Sequence, residues 1–272
     1  MNFVAILCVF IAASSYGILS SIVKMAYGHG YTFAQMTGLQ LFMGTLFLWV
    51  VLLMFVPRKI KKNLPKSRTD WWGIFLLGLT TAGTSILYYK SVEYLPASIA
   101  VLLLMQFSWM NIILEWIFFK SKPSLQAVLA TLVIIVGTVL ASGALSSDAQ
   151  LSPAGIIYGL GAGLSYATFL LSNGRYMANT PSLYKSGFMA VIASVIFICI
   201  FPPTWVNASL FQDEQLLLWG GIIGFFGVVV PPLLLGYGMP KVGVVAGSII
   251  STAELPVALV AAVVIASETI TT

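Results

Sequence analysis

About nine long apolar stretches, separated by short polar links, fill this chain of 272 residues. Most of them approach the roughly 20 residues that an α-helix needs to cross the hydrocarbon of a bilayer. Charged residues make up only 8% of the sequence and hydrophobic residues 59%. A water-soluble protein of this size needs more charge to cover its surface. The sequence therefore predicts an all-α polytopic membrane protein.

Other classes of protein fit the composition poorly. A β-barrel is excluded because its strands alternate apolar and polar residues, whereas these stretches are continuously apolar. The longest polar segment, 57–70, is too short to hold a soluble core. The net charge of +5 lies in short links, so it does not indicate nucleic-acid binding. Cys8 and Cys199 lie in apolar runs and are expected to be small core residues, and no metal site or cofactor is predicted.

The hydropathy pattern predicts nine spans, with boundaries good to about 2–4 residues. In chain order these are 3–23, 33–56, 71–89, 97–119, 124–142, 153–172, 182–201, 215–237 and 242–266, numbered spans one to nine. The N-terminus lacks the basic start and the cleavage signature of a removable signal peptide, so we expect it to form the first span.

Basic residues fall mainly in alternate links between the spans. Of the 13 Lys and Arg residues, all but Lys24 and Lys90 lie on one side of the predicted membrane. Three acidic residues, Asp148, Asp213 and Glu214, lie in the opposite links. By the positive-inside rule, the basic side and the N-terminus face the cytoplasm. We expect a multi-pass protein of the cell (inner) membrane.

The two halves of the chain resemble each other. Ser15-Tyr16-Gly17 in span one aligns with Ser165-Tyr166-Ala167 in span six, 150 residues later. Residues 96–123 align without gaps with residues 243–270, at an offset of 147. The order of these matches along the chain and the similar hydropathy of the halves indicate an internal duplication.

The duplication predicts two repeats, 1–145 with five helices and 146–272 with four of five. Because five is odd, the second copy enters the membrane the other way up, as an inverted repeat about a pseudo-two-fold axis. Two such halves can pack in two asymmetric ways, each opening a central site to one side of the membrane. A tenth helix is expected and is missing from this chain, which favours a fragment over a natural nine-span protein.

Short motifs accompany this plan. Tyr94-Leu95-Pro96-Ala97-Ser98 leads into span four, Glu254-Leu255-Pro256 lies in span nine, and Ser267-Glu268 lies at its outer end. Together with the five-plus-five plan, they resemble the EamA family of the drug/metabolite transporter superfamily over essentially the whole chain. The resemblance implies a ten-helix inner-membrane transporter with a cavity lined mainly by helices one, three, four, six, eight and nine. It implies amino acids, other small metabolites, drugs, nucleotide sugars or phosphosugars as substrates.

Glu254 is the strongest candidate for a functional residue. It lies 13 residues beyond Lys241, or ~20 Å along a helix, and is therefore deep in the membrane. A carboxylate at that depth is costly unless it is paired, hydrated or protonated, and it usually marks a functional site. It suits proton coupling or pairing with a substrate amine. The alternative is a protonated side chain that bonds a neighbouring helix.

Aromatic and amide side chains at similar depth are candidates for the cavity wall. Tyr16 and Tyr166 each offer a hydroxyl and an aromatic face to an amine-bearing or aromatic solute, or else bond another helix. Gln106 is expected to line the cavity because burying a primary amide against lipid is expensive. Trp109 lies beside it as a further candidate that could instead serve in packing, and Asn111 is expected to link helices.

Prolines predict the hinges. Pro256 lacks a backbone donor and so frees the carbonyl of Thr252. Pro231-Pro232 interrupts span eight in the same way and aligns with Thr84-Ser85 of span three. Interruptions at corresponding places in two halves indicate the site or hinge of a transporter. The alternative is an ordinary kink that neighbouring side chains repair.

Charged residues near the predicted membrane surfaces have plainer interpretations. Glu115 is expected to pair with Lys120 or to reach the interface, and Lys90 is expected to pair with Glu93. The alternative for Lys90 and Glu93 is that they form an external gate. His29 lies in an outer link and is expected to be solvated.

These residues favour a secondary active transporter that exports amino acids or related amines by alternating access. Its expected partners are a small-molecule substrate, the bilayer and protons as coupling ion, and a homodimer is compatible with the sequence. The alternatives are a transporter of nucleotide sugars or drugs, a membrane-embedded enzyme, and a structural membrane protein. An enzyme needs a constellation of paired acids, a His–Cys set or a nucleophile with its base, and the sequence shows none.

Overall fold

The computed structural model describes residues 2–55, 67–141, 152–176, 180–206 and 212–265. Regular structure within these ranges is helical. Several residues used in the sequence analysis lie outside the described residues: most of the basic link after span two (Arg58 to Lys66), Asp148 and Ser267-Glu268.

The helices, in chain order, are Phe3–Gly17, Leu19–Gly28, Phe33–Phe55, Arg68–Tyr94, Ala97–Leu104, Phe107–Phe119, Leu125–Ala141, Pro153–Arg175, Ser182–Ile200, Glu214–Gly224, Val230–Val242, Val244–Ser251 and Glu254–Val264. A 3-10 turn forms at Pro203–Trp205, and a π-turn at Phe225–Val229 joins the two helices of span eight. Spans one, four and nine also consist of two helices joined end to end. Within the described ranges, eight segments are long and apolar enough to cross a membrane, which confirms the all-α polytopic fold.

The fifth predicted span is described only in part. Its helix, Leu125–Ala141, is apolar and runs to Ala141, the last described residue before 152. The eight segments and this helix correspond in order to the nine predicted spans.

Polar residues cap the equivalent spans three and eight. Before span three, the Ser67 hydroxyl accepts from the backbone N–H of Asp70 at 3.0 Å, and the Asp70 carboxylate accepts from that of Ser67 at 3.1 Å. Before span eight, the Asp213 carboxylate accepts from the backbone N–H of Leu216 at 2.9 Å. These bonds satisfy N–H groups that have no partner inside the helix.

Spans four and nine are broken at equivalent places. Span four changes helix at Met105-Gln106 and span nine at Thr252-Ala253, 147 residues later. The offset equals that of the sequence match between the halves. The matched interruption therefore lies in these two spans, at the middle of each.

The interruption of span eight has no matching break in span three, its equivalent in the first half. Arg68–Tyr94 runs as one helix through Thr84-Ser85, so the matched break predicted opposite Pro231-Pro232 is absent from span three. The caps Ser67 and Asp213 lie 146 residues apart, whereas the starts of the next spans lie 147 apart. The stretch from the cap of span eight to the start of span nine thus holds one residue more than its counterpart, and the wider π-turn Phe225–Val229 accommodates it just before the two prolines.

Two serines at equivalent positions join the halves. Ser15 of span one donates to the carbonyl oxygen of Phe226 in span eight at 2.7 Å. Ser165 of span six donates to that of Thr80 in span three at 2.9 Å. Thr80 and Phe226 are related by the same offset of 146 as the two caps. Each half therefore places its first span against the third span of the other half.

Candidate functional site

A cavity of about 40 Å³ lies where both halves meet. At roughly 10–15 Å³ for each water, its volume corresponds to about three water molecules. Spans one, two, three, four, six, eight and nine all contribute to its wall. Its polar and aromatic lining includes Tyr16, Gln40, Tyr88, Tyr89, Tyr166 and Glu254.

Glu254 opens the second helix of span nine, directly after the break. Its side chain is 1% exposed, and Oε2 has no hydrogen-bond partner among the described residues. Tyr16 and Tyr166 line the same cavity as its carboxyl group. Span one approaches closely here, since a Cβ built on Gly17 would lie 2.7 Å from the Glu254 carbonyl oxygen. The local fold thus holds a carboxylate in the cavity wall.

The break beside Glu254 differs in detail from the expectation. Pro256 cannot donate to the carbonyl of Thr252, but that carbonyl is not left free. It accepts from the backbone N–H of Leu255 at 3.0 Å, in an i to i+3 bond. The chain therefore bends at Thr252-Ala253, and Pro256 lies in the first turn of the following helix, where a missing donor costs little.

The structure brings the two predicted tyrosines together. The rings of Tyr16 and Tyr166 meet edge to face with their centroids 5.6 Å apart. The ring of Tyr166 also stacks on Phe169 at 6.0 Å and meets Phe107 edge to face at 4.7 Å. Both tyrosines line the cavity beside Glu254, and their roles in binding stay a prediction.

Gln106 and Trp109 are placed elsewhere. Neither lines this cavity. The Gln106 amide donates to the Leu102 carbonyl at 3.1 Å and accepts from Trp109 Nε1 at 2.9 Å. Gln106 lies in the break of span four, where these local partners satisfy its amide. The link between helices expected of Asn111 is absent as well, because its buried amide has no hydrogen-bond partner among the described residues.

Several lining residues were not predicted from the sequence. Gln40 lies in the otherwise apolar span two and is 3% exposed. The cost of burying an amide against lipid, which singled out Gln106, applies equally to Gln40 and could have found it. Tyr88 and Tyr89 carried no such signal, because aromatic residues are also frequent on lipid-facing and packing surfaces.

Glu115 has a different partner from the one expected. Its buried carboxylate pairs with the guanidinium of Arg175, at the end of span six, rather than with Lys120. Arg175 also lies over the ring of Phe119, 4.6 Å from its centroid. Lys120 follows the helix in the left-handed conformation and is exposed, so its backbone turns away from Glu115.

The remaining charged and ionisable residues near the surface lie as predicted from the sequence. Lys90 Nζ and Glu93 Oε2 form an ion pair at 2.7 Å. His29 is exposed, and its Nδ1 lies 2.9 Å from the carbonyl oxygen of Met25. These positions confirm the predicted pair and the exposed histidine.

Two further expectations need correction. Lys185, counted with a polar link, is buried, and its Nζ donates to the carbonyl oxygen of Asn173 at 3.2 Å. The bond satisfies a carbonyl in the last turn of span six. Cys8 is half-buried and Cys199 is exposed on the outside of span seven, so Cys199 is not a core residue.

Comparisons with known proteins agree with this architecture. A search of curated proteins finds no significant match. A crystal structure, titled only as that of a protein, covers 98% of this chain and 90% of its own at a TM-score of 0.71 and 17% identity, which shows a shared fold. The EamA-like transporter family matches residues 3–143 and 153–272, as two repeats. The chain therefore belongs to the EamA-like transporter family, within the drug/metabolite transporter superfamily.

Proposed function

We propose that the protein is a secondary active transporter that exports small metabolites, such as amino acids or related amines, by alternating access around the cavity at Glu254. Membership of a transporter family supports the general class. The observation that carries the mechanism is a fully buried acid, in a cavity formed by both halves, that forms no ion pair with a described residue.

Proton coupling follows from the surroundings of Glu254. A deprotonated carboxylate without a counter-charge is expensive in the membrane. The group therefore carries either a proton or a cationic substrate, and each displaces the other. Such competition at a single carboxylate exchanges protons for substrate if the two halves change their packing only when one of the two is bound.

The proposed motion uses the breaks in the helices. The interruptions at Met105-Gln106 and Thr252-Ala253 lie at equivalent places, and the second adjoins Glu254. We assign the hinge to Pro231, Pro232 and Pro256 together with these breaks. Helix segments that end at a site can tilt without breaking further backbone hydrogen bonds.

The proposed orientation places the N-terminus in the cytoplasm of the cell (inner) membrane. The asymmetry of Lys and Arg between alternate links supports it. The two repeats, 1–145 and 146–272, then have opposite orientations in the membrane, as alternating access requires.

The test is uptake into proteoliposomes of a pooled set of radiolabelled amino acids and amines, with and without a pH gradient. Gradient-driven accumulation should occur and should be lost in Glu254→Gln. Glu115→Gln is the matched control, since it changes a buried acid that lies outside the cavity. Accumulation that survives Glu254→Gln would make this residue structural.

The alternatives give different results when the assay is extended to other solutes. No flux of the pooled amino acids and amines, but flux of nucleotide sugars or drugs supplied in their place, would change the substrate class and keep the mechanism. A membrane-embedded enzyme would turn over a bound lipid without solute flux. A structural protein would show neither activity and would tolerate Glu254→Gln.

A further inference from the structure

Several buried atoms in the cavity wall have no hydrogen-bond partner among the described residues. They include Glu254 Oε2, Gln40 Oε1 and the Tyr89 hydroxyl. All three residues line the cavity, and each is no more than 3% exposed. An unpaired buried polar atom costs about 1–3 kcal/mol. Three such atoms around one cavity therefore favour a ligand that satisfies them together.

The volume of the cavity restricts that ligand to very small molecules. About 40 Å³ has room for about three waters at roughly 10–15 Å³ each, which is less than the smallest amino acid occupies. Cavities that stay empty are lined by apolar side chains, whereas a buried water needs about two to four polar partners. Because this wall is polar at several points, it meets the requirement for water.

Both hydrogen-bond donors and acceptors are available to such waters. The Gln40 amide and the Tyr89 hydroxyl each carry a donor and an acceptor. Thr81 and Thr84 each donate at 2.8 Å to a carbonyl of their own helix, and so they offer oxygen lone pairs to the cavity. Water donates and accepts at the same time and therefore satisfies both kinds of group.

The three atoms without partners lie on different spans. Gln40 belongs to span two and Tyr89 to span three, both in the first half, whereas Glu254 belongs to span nine of the second half. The amide nitrogen of Gln40 lies beside Gly227, in the π-turn of span eight. Waters bound between these side chains therefore contact both halves of the protein.

We propose that the cavity, when no substrate is bound, holds a cluster of about three waters that carries protons to and from Glu254. Gln40 and Tyr89 are positioning residues, because they hold the waters against the carboxyl group. The proton-carrying role rests on the proposed function, whereas the cluster itself rests on the cavity alone.

The transfer of a proton along the cluster conserves charge at each step. The O–H bond of the Glu254 carboxyl breaks as a new one forms on the adjacent water, and that water passes a different proton to the next. One proton thus leaves the carboxyl group, and one leaves the far end of the cluster toward the side to which the cavity opens. The carboxylate that remains then pairs with the cationic group of a substrate. Delivery of a proton reverses this order.

The far end of the cluster lies at Tyr89. This residue is five positions before the end of its helix at Tyr94, on the side of the membrane with few basic residues. Glu254 is deeper, ten positions after the start of span nine at Val244. The hydroxyl of Tyr27 donates to the carbonyl of Tyr89 at 3.2 Å and fixes the helix there. The cluster therefore leads from Glu254 toward the outer face.

Radiolytic labelling tests the cluster on the purified full chain in detergent. X-rays split bound water into hydroxyl radicals that oxidise adjacent side chains, and mass spectrometry measures the oxidation. With a radical scavenger in the bulk solution, Tyr89 and Tyr166 should be oxidised several-fold more than Tyr184, which is similarly buried but lies outside the cavity. The scavenger should suppress oxidation of the exposed Tyr94, because the radicals that reach it come from bulk water.

Variants link the bound water to the cavity wall. Gln40→Leu removes the amide and should lower the oxidation of Tyr89 several-fold. Asn111→Leu is the matched control, since Asn111 is also a buried amide but lies outside the cavity. Ser85→Val fills part of the cavity from span three and should act like Gln40→Leu, so the test does not depend on one variant that folds.

Infrared spectroscopy measures the relay separately. The carbonyl band of the protonated Glu254 carboxyl, identified by its loss in Glu254→Gln, shifts when deuterium replaces the proton. After transfer into D2O, the shift should develop several-fold more slowly in Gln40→Leu than in the unaltered protein. Asn111→Leu should leave its rate unchanged.

The outcomes separate the cluster, the relay and the proposed function. Equal oxidation of Tyr89 and Tyr184, or oxidation that neither cavity variant lowers, would overturn the water cluster. An exchange rate at Glu254 that Gln40→Leu leaves unchanged would overturn the relay. Neither measurement uses solute flux. A labelled cavity and rapid exchange, together with no gradient-driven uptake of any pooled solute, would instead refute the proposed transport function.

Discussion

Tyr16 and Tyr166, which occupy equivalent positions 150 residues apart, touch each other edge to face at 5.6 Å between ring centroids. Residues that a two-fold axis exchanges come into contact only close to that axis. The contact therefore agrees with a pseudo-two-fold relation between the halves and puts the cavity beside its axis. A site at that position changes its surroundings whenever the two halves exchange their packing, which is what alternating access requires.

The hydroxyl of Ser15 stabilises the π-turn of span eight, because it donates to the carbonyl of Phe226. We expect Ser15→Ala to lower the free energy of unfolding by about 1 kcal/mol, as for one lost interhelical hydrogen bond. Ser165→Ala should have a similar effect at the equivalent bond to Thr80. Reversible unfolding in mixed detergent measures both.

The neighbouring Ser14 provides the control for this prediction. Its hydroxyl donates to the carbonyl of Phe10 within the same helix, at 2.9 Å. Ser14→Ala should therefore leave the stability nearly unchanged. Equal losses for Ser14→Ala and Ser15→Ala would show that the bond between spans one and eight contributes nothing.

Gly227 in the π-turn sets the position of Gln40. A Cβ at residue 227 would collide with the amide nitrogen of Gln40 and lie 3.0 Å from Leu19 Cδ1. Because that amide is the end of a flexible side chain, it moves aside, and we expect Gly227→Ala to reduce gradient-driven uptake into proteoliposomes several-fold with little loss of stability. Gly221→Ala, where a Cβ meets nothing within 4 Å, should keep normal uptake. Equal uptake by the two variants would contradict a role for Gln40.

The fold could be predicted because long apolar stretches mark the spans. Parts of the site could not, because some helix breaks have no proline or glycine to mark them. Glu254 stood out because a buried acid is costly at its depth, whatever surrounds it. The break at Met105-Gln106 contains neither proline nor glycine, and so it left no local signal. The π-turn depends on one extra residue, which an ungapped comparison of the halves conceals.

Contacts between residues on helices far apart in the sequence could not be predicted either. Lys120 is close to Glu115 along the chain, whereas Arg175 reaches it only once spans four and six have packed. Proximity in sequence therefore favoured the wrong base. Gln40 differs, since the cost of burying its amide is readable from the sequence, and only its contact with the π-turn depends on the packing of span two.

The pair between Arg175 and Glu115 should respond unequally to removal of its two members. Arg175→Gln leaves a buried carboxylate uncompensated, whereas Glu115→Gln leaves a guanidinium whose side chain is 40% exposed. We expect Arg175→Gln to be the more destabilising, by about 1–2 kcal/mol after allowance for that exposure. The double variant should recover most of the loss, as measured by thermal unfolding. A double variant no more stable than Arg175→Gln alone would show that the pair is not coupled.

The orientation in the membrane can be tested with two exposed positions on opposite faces. His29 follows the end of span one and Lys120 the end of span four, and both are exposed. In a background without Cys8 and Cys199, a membrane-impermeant maleimide applied to intact cells should label His29→Cys and should not label Lys120→Cys until the membrane is opened. The physical reason is the excess of Lys and Arg on the Lys120 side, which the positive-inside rule keeps in the cytoplasm. The reverse labelling pattern would invert the topology and, with it, the direction in which the proton gradient drives transport.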